Sequence, residues 1–431
     1  MSGFTFGFAG DDIDDQEIDI DEPNAGVSDG IQRLDIGHQH DRDQAFKRED
    51  EQGTLIEARC WDLDDMLSSL PSQISYNILP IPQPSHTNGP SQPINIPRRE
   101  VFDIRAQLMA EDDTETNENA ELISGLEKGD LKPTVYEGGF KTWECAVDLA
   151  KLLVAEEVEG VLSEDAEGDA DVLELGAGTA IPSLSLLHAL LSKPPPPHPP
   201  NRNLRFVFAD YNAAVLRLVT VPNILLTWHT CRQQREQQEQ KQQPQHDPQP
   251  QKTSDEPDTT EQDTPPDPHH QQPDIDIDPA LLTTFRHDLQ RRGISISLIS
   301  GAWSPAFVEL ALSPNTLATT TTTGTTTNPS SPSLLILASE TIYAPASLAP
   351  FAETLLALLR RRGGGVSGSN VDTKTKALIA AKKVYFGVGG GVDEFLEVMR
   401  GVGGGEGGFS VRERVDVRGE GVGRVVVEIT V

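Results

Sequence analysis

Twelve consecutive residues, Asp171-Val-Leu-Glu-Leu-Gly-Ala-Gly-Thr-Ala-Ile-Pro182, restrict what this chain can fold into more than any other stretch. Val172 to Leu175 have the length and apolar character of a short buried strand. Gly176-Ala-Gly178 follow as a turn whose backbone can approach a neighbour closely, with no Cβ in the way. Ile181-Pro182 then open a helix, with the proline near the first helical position, where its missing N–H costs nothing. Strand, glycine turn and helix in this order form the first unit of a doubly wound α/β sheet.

Two details separate this turn from a dinucleotide site. Ile181 stands where the third glycine of G-x-G-x-x-G belongs, so the turn is not built to cradle a pyrophosphate. Glu174 lies on the strand two residues before the first glycine, and a carboxylate there suits a cation. S-adenosylmethionine (SAM) carries a sulfonium and an ammonium and has no phosphate, so a SAM site at Glu174, Gly176 and Gly178 is expected. Glycine turns between strand and helix are common, and the neighbouring motifs must decide.

The 431 residues leave room for one large domain with long extras, or for two. The apolar fraction is 36%, below the roughly 45–50% of globular chains, so part of the chain is not packed. With 35 basic and 67 acidic residues the formal charge is −32. That excludes nucleic acid as a direct partner; it favours a basic protein, or merely solubilises tails. Cys60, Cys145 and Cys231 are widely spaced in no metal pattern, so a reducing compartment is expected and zinc is not. No apolar run approaches the roughly 20 residues of a membrane span. The first residues are acidic where a signal peptide is basic. A soluble, intracellular monomer without a membrane partner is expected.

Residues 1–99 read as a mostly disordered acidic region. Phe4-Thr-Phe6-Gly-Phe8 is either a short docking motif or a featureless tail. Cys60 to Leu70 suggest a helical turn or two, and Pro80 to Pro97 an extended connector. Residues 100–431 hold the main domain, beginning with apolar residues at helical spacing in Val101–Met109. Lys141 to Leu153 read as a helix with Thr142 as N-cap, Glu144 in its first turn, and free N–H groups suited to a carboxylate. Trp143 is otherwise a core residue of that helix.

After the central helix, Leu204–Ala209 is the second strand, ending in Asp210-Tyr-Asn212. An acid there either binds ribose hydroxyls or caps a helix. Val215 to Trp228 continue as a helix interrupted near Pro222. Residues 232–275 and 316–332 are low-complexity stretches expected to loop out in disorder. Ile294–Ile299 alternates as a strand leading to Gly301-Ala302-Trp303, whose indole either stacks on adenine or plugs the core. Leu334–Ala338 is apolar throughout, hence a central strand, and delivers Ser339-Glu340-Thr-Ile-Tyr343 to the ligand edge of the sheet. A helix follows over Ala346–Arg362 and a strand over Lys376–Val384. Tyr385-Phe-Gly-Val-Gly-Gly-Gly391 suggests a close-approach lip over a transferred methyl. A short helix over Asp393–Arg400 precedes a terminal antiparallel hairpin, whose last strand inserts between its predecessors.

Val135-Tyr-Glu-Gly-Gly-Phe-Lys-Thr-Trp-Glu-Cys145, Asp210-Tyr-Asn212, Leu298-Ile-Ser-Gly-Ala-Trp303, Ser339-Glu-Thr-Ile-Tyr343 and Tyr385-Phe-Gly-Val-Gly-Gly-Gly391 together resemble the fungal protein-histidine N-methyltransferase family. The resemblance covers the chain from about residue 100 onward, minus the two insertions. It implies a seven-stranded, Rossmann-like class I SAM-dependent methyltransferase. The substrate it implies is a histidine of a large-subunit ribosomal protein, methylated on the tele nitrogen in cytoplasm or nucleus.

By motif matching, Thr142, Trp143, Glu144, Cys145, Ala146, Gly176, Asp210, Tyr211, Asn212, Gly301, Ala302, Trp303 and Ser339 line the SAM pocket. Related lysine-directed enzymes carry Asp-x-x-Tyr after the fourth strand, matched here by Glu340 and Tyr343. Glu340 is expected either to orient the substrate ring and accept its proton, with Tyr343 bracing it or walling the pocket, or only to cap the following helix. Ala180 departs from the family's third glycine, and Ala302 stands where a polar residue is frequent. Two rivals remain: a protein-lysine N-methyltransferase, and a non-catalytic SAM-binding adaptor in ribosome assembly.

Overall fold

A computed structural model of the chain describes residues 56–83, 92–111, 122–123, 139–157, 168–198, 200, 202–242, 273–313, 332–363, 375–386, 389–404, 408–419 and 421–431. These residues belong to one compact unit that begins at Ile56. The Phe4–Phe8 motif, Val135–Glu137, residues 243–272 and residues 316–331 lie outside them.

The unit starts with a short strand β1 (Arg59–Trp61), helix α1 (Leu63–Ser68), and strands β2 (Gln73–Ile81) and β3 (Ile94–Arg99). Asp62 caps α1 by accepting from the N–H of Asp64 at 2.7 Å. Helix α2 (Val101–Ala110) and helix α3 (Glu144–Leu152) precede strand β4 (Ala170–Leu175) and helix α4 (Ile181–Leu191). Strand β5 (Leu204–Asp210) leads into a short helix α5 (Ala213–Val215), a π-helical turn (Leu216–Thr220) and the long helix α6 (Val221–Gln242). Pro222 brings no N–H to the ladder, and the irregular turn lies immediately before it. Strand β6 (Asp274–Asp276), helix α7 (Pro279–Arg291), strand β7 (Ile294–Ser300) and helix α8 (Pro305–Leu312) follow. The chain ends with β8 (Ser333–Ser339), α9 (Pro345–Gly363), β9 (Thr375–Lys382), α10 (Val392–Gly403), β10 (Ser410–Val417) and β11 (Arg424–Thr430).

The main sheet runs β1-β7-β5-β4-β8-β9-β11-β10. Strands β7, β5, β4, β8 and β9 are parallel, and β11 inserts antiparallel between β9 and β10. Without β1 this is the expected seven-stranded class I order with its reversed terminal hairpin. The central strands are covered on both faces, so alternate residues enter opposite cores. On β5, Phe206 and Phe208 join the core under Leu184, Ile224 and Trp228. Val207 and Ala209 join the other, with Phe307, Phe351 and Phe395.

Three sequence expectations are corrected here. The boundary at residue 100 falls inside the unit. Residues 59–99 supply β1, which pairs antiparallel with β7, and two strands of a second sheet ordered β3-β2-β6. The stretch from Pro80 to Pro97 is a connector only in part, because Pro80 pairs with Asn95 and Pro97 with Ile78 in the β2–β3 ladder. Both prolines are tolerated where the ladder requires no donor from them. The insertion does not begin at 232: α6 carries the glutamine-rich residues through Gln242, as good helix formers continuing a nucleated helix can.

Candidate active site

The parallel strands deliver five loops to one edge of the sheet, and the glycine turn after β4 is the most constrained of them. Gly176 and Gly178 both adopt positive φ, 70° and 49°. A Cβ on Gly176 would lie 2.6 Å from Thr341 Cγ2, and one on Gly178 would lie 3.2 Å from Gly139 Cα. The turn is thus pressed against the segment before α3 on one side and the loop after β8 on the other. Its carbonyls are held from behind. The Thr220 hydroxyl donates to Gly178 O at 2.7 Å, and Asn223 Nδ2 donates to Thr179 O at 3.0 Å.

Asp210 ends β5 and is buried. Its Oδ2 accepts from Gly178 N–H at 3.0 Å and its Oδ1 from Asn212 N–H at 3.1 Å. It therefore ties the second loop to the first. Gly301 N–H donates to the carbonyls of Asp210 and Tyr211, bringing the loop after β7 to the same place. A Cβ on Gly301 would meet Glu57 O at 2.6 Å, and Ala302 N–H donates to Ile56 O, so this loop is backed by the segment before β1. Trp303 packs edge-on against Phe307 and Phe351, with ring centroids 5.1 and 5.7 Å away. The core-facing alternative for Trp303 is the contact that is present.

Glu174 is fully buried on β4. Its Oε2 accepts from Ser183 N–H in the first turn of α4 at 3.0 Å. Burial pushes its pKa up to about 8, against the lowering effect of the Ser183 hydrogen bonds. Among the described residues Glu174 Oε1 and Asn212 Nδ2 are buried without a hydrogen-bond partner. Unsatisfied buried polar atoms of this kind are costly unless a ligand pairs them.

Thr142 is not the N-cap of α3. Trp143 holds that position without a side-chain bond, and the Thr142 hydroxyl instead donates to Thr179 Oγ1 at 3.0 Å. Glu144 does open the helix, and Cys145 and Ala146 are buried just behind it. Burial and the nearby Glu340 carboxylate push the Cys145 thiol pKa up, so this sulfur stays protonated.

Ser339 is the last residue of β8, and Glu340 leaves the strand at φ 55°, a left-handed conformation rare for a residue with a Cβ. Such a position costs on the order of 1 kcal/mol or more and persists where the surroundings enforce it. Here the Glu340 N–H donates to Ala380 O at 3.0 Å. The Tyr385 hydroxyl donates to Glu340 Oε2 at 2.6 Å and accepts from Lys382 N–H at 3.2 Å. Glu340 Oε1 is buried and accepts no hydrogen bond among the described residues.

Tyr343 packs edge-on to the Tyr385 ring at 6.3 Å. The phenol hydrogen-bonded to Glu340 is thus Tyr385, which sequence reasoning placed only beside the glycine run. Gly390 explains the proximity, since a Cβ there would meet Tyr343 O at 2.6 Å. The glycine run lets the post-β9 loop close on the post-β8 loop.

The turn, the orphaned carboxylate and amide groups, and the absence of a phosphate-binding lysine after the glycines fit SAM. Comparison with known proteins agrees, although no family model matches the chain. Histidine protein methyltransferase 1 of Saccharomyces cerevisiae is 32% identical over 396 residues, 91% of this chain and 89% of that protein. The Schizosaccharomyces pombe protein of the same name is 32% identical over 77% of this chain and 74% of its own length. A rat homologue is 27% identical over 73% and 62%. Among solved structures, a precorrin-6y C5,15-methyltransferase of Geobacter metallireducens shows 12% identity, a TM-score of 0.23, and coverage of 67% of this chain and 92% of that one. The chain belongs to the histidine protein methyltransferase 1 family and is a SAM-dependent protein-histidine methyltransferase.

Proposed function

We propose that the enzyme methylates the tele nitrogen of a histidine in a basic large-subunit ribosomal protein, with Glu340 as the group that orients the imidazole. The observation that carries this reading is the Glu340 carboxylate itself: strained, nine-tenths buried, fixed through Oε2 by Tyr385, and with Oε1 accepting no hydrogen bond among the described residues.

Glu174, the Gly176–Gly178 turn, Asp210, Asn212 and the first turn of α3 would hold SAM. When bound, SAM supplies an electrophilic methyl group on a sulfonium. The substrate imidazole, with an ordinary pKa near 6.5, is largely neutral at pH 7 and needs no strong base. Alignment therefore supplies most of the acceleration. Glu340 Oε1 accepts the N–H of the ring nitrogen that is not methylated, and takes up the proton that the product ring gives off. Tyr385 holds the carboxylate in place through that step. Burial and the adjacent Glu340 push the Tyr385 pKa up, so its hydroxyl remains a donor. The net charge of −32 suits a basic protein partner.

The test is to incubate the purified protein with isotopically labelled SAM and a ribosomal extract, then locate the label by mass spectrometry. Tele-methylhistidine in a large-subunit protein is the expected product. Label on another class of protein, or on the other ring nitrogen, overturns this substrate assignment.

A further inference from the structure

We propose that Lys382 sets the residue specificity of the site, by filling with the chain's own ammonium the place where a lysine substrate would bind. This inference rests on the histidine-directed reading above and concerns the same site. Lys382 is the last residue of β9, and its side chain is about one-fifth exposed. Its Nζ lies 3.3 Å from Glu144 Oε2, 4.0 Å from Glu340 Oε1, and 5.3 Å from the centroid of the Trp143 ring.

Two carboxylates and an indole face around one point are what an alkylammonium ion seeks. A methyltransferase acting on lysine needs such a place next to its methyl donor. Here the place is already taken, by a side chain anchored in the central sheet. A second ammonium arriving at Glu340 would meet Lys382 at close range, and like charges at that separation repel strongly in a partly buried setting. A neutral imidazole meets no such penalty. The Lys382 charge also disfavours protonation of an approaching ring, which keeps the nucleophilic lone pair free. Trp143 and Glu144 hold Lys382 in position and leave Glu340 Oε1 without a hydrogen bond at its 4.0 Å distance. The arrangement admits a neutral N–H donor and turns away a cation.

The test compares wild type, Lys382→Met and Lys382→Arg with labelled SAM and a ribosomal extract. Two side-chain mimics, 4-methylimidazole and n-butylammonium, serve as competing probes. Wild type and Lys382→Arg are expected to be inhibited by 4-methylimidazole and insensitive to n-butylammonium. Lys382→Met should become sensitive to n-butylammonium, with its imidazole-to-ammonium selectivity lowered by about tenfold or more. Should Lys382→Met lose SAM binding by calorimetry, Lys382→Gln carries the same comparison. Methylhistidine formation by wild type with unchanged selectivity in the charge-removed variant overturns the role of Lys382 alone. Absence of methylhistidine from the wild-type reaction overturns the histidine-directed reading beneath it.

Discussion

The Tyr385 hydroxyl donates to Glu340 Oε2 at 2.6 Å, joining the loops that follow two neighbouring parallel strands. Both residues are partly buried, and the carboxylate acceptor makes the bond a short, charge-assisted one. Removing it while keeping the ring isolates its contribution. Tyr385→Phe should lower kcat by about 10- to 100-fold, the range for a hydrogen bond to a charged group. SAM affinity should not change. Steady-state kinetics with calorimetry checks both quantities, and an unaltered kcat would remove Tyr385 from the positioning of Glu340.

The glycine turn depends on Asn223, which sits on α6 and reaches in two directions. Its Oδ1 accepts from Arg99 N–H at 2.7 Å, and its Nδ2 donates to Thr179 O at 3.0 Å. Asn223→Ala leaves both of those buried backbone groups unpaired, at about 1–3 kcal/mol each. A lower thermal midpoint and weaker SAM binding are expected together. A variant that lost stability yet bound SAM as tightly as wild type would show that this link does not shape the turn.

Glu174 makes stability depend on pH. Its folded pKa is raised from 4.5 to about 8 by burial, so the folded state holds a proton that the unfolded state releases. The stabilisation is therefore full below pH 4.5 and is lost as pH rises towards 8, by about 1.4 kcal/mol per pH unit. Glu174→Gln cannot lose that proton. Thermal midpoints at pH 5, 6.5 and 8 should show wild type falling relative to the variant. A difference independent of pH would mean that Glu174 is ionised in the folded chain.

Gly176 offers a steric test of the same turn. Gly176→Ala places a Cβ 2.6 Å from Thr341 Cγ2 at a φ of 70°. Thr341 must move, and Glu340 is covalently attached to it. Loss of kcat together with weaker SAM binding is expected from paired kinetic and calorimetric measurements. Wild-type values for both would show that the post-β8 loop is not pressed on the turn.

Much of the scaffold was legible because it is local. Leu334 to Ala338 is a continuous apolar run and Val172 to Leu175 is broken only by Glu174, and such runs form strands buried on both faces. The alternation in Arg424–Thr430 marks a strand in a terminal hairpin in the same way. The accessory sheet was not legible: Gln73 pairs with Asp276 across a long low-complexity stretch, and Pro80 and Pro97 masked its other ladder. The glutamines after Arg232 carried a composition typical of disorder, yet they extend a helix anchored by the buried Trp228.

At the site, Glu340 was readable from its place after an apolar strand. Its partner was not. Tyr343 and Tyr385 are both near, and only the packing of Gly390 on Tyr343 O decides which hydroxyl meets the carboxylate. Thr142 looked like a helix cap by residue type, but the helix begins later and the hydroxyl bonds Thr179 instead. Lys382 carried no local signal at all, because Glu144, Glu340 and Trp143 converge on it from other parts of the chain.

The rate of methylhistidine formation by Glu340→Gln at saturating SAM tests the central claim most directly. A fall of about 100-fold or more, the scale of a lost proton acceptor, is expected, with SAM affinity unchanged. Full turnover by that variant would contradict it.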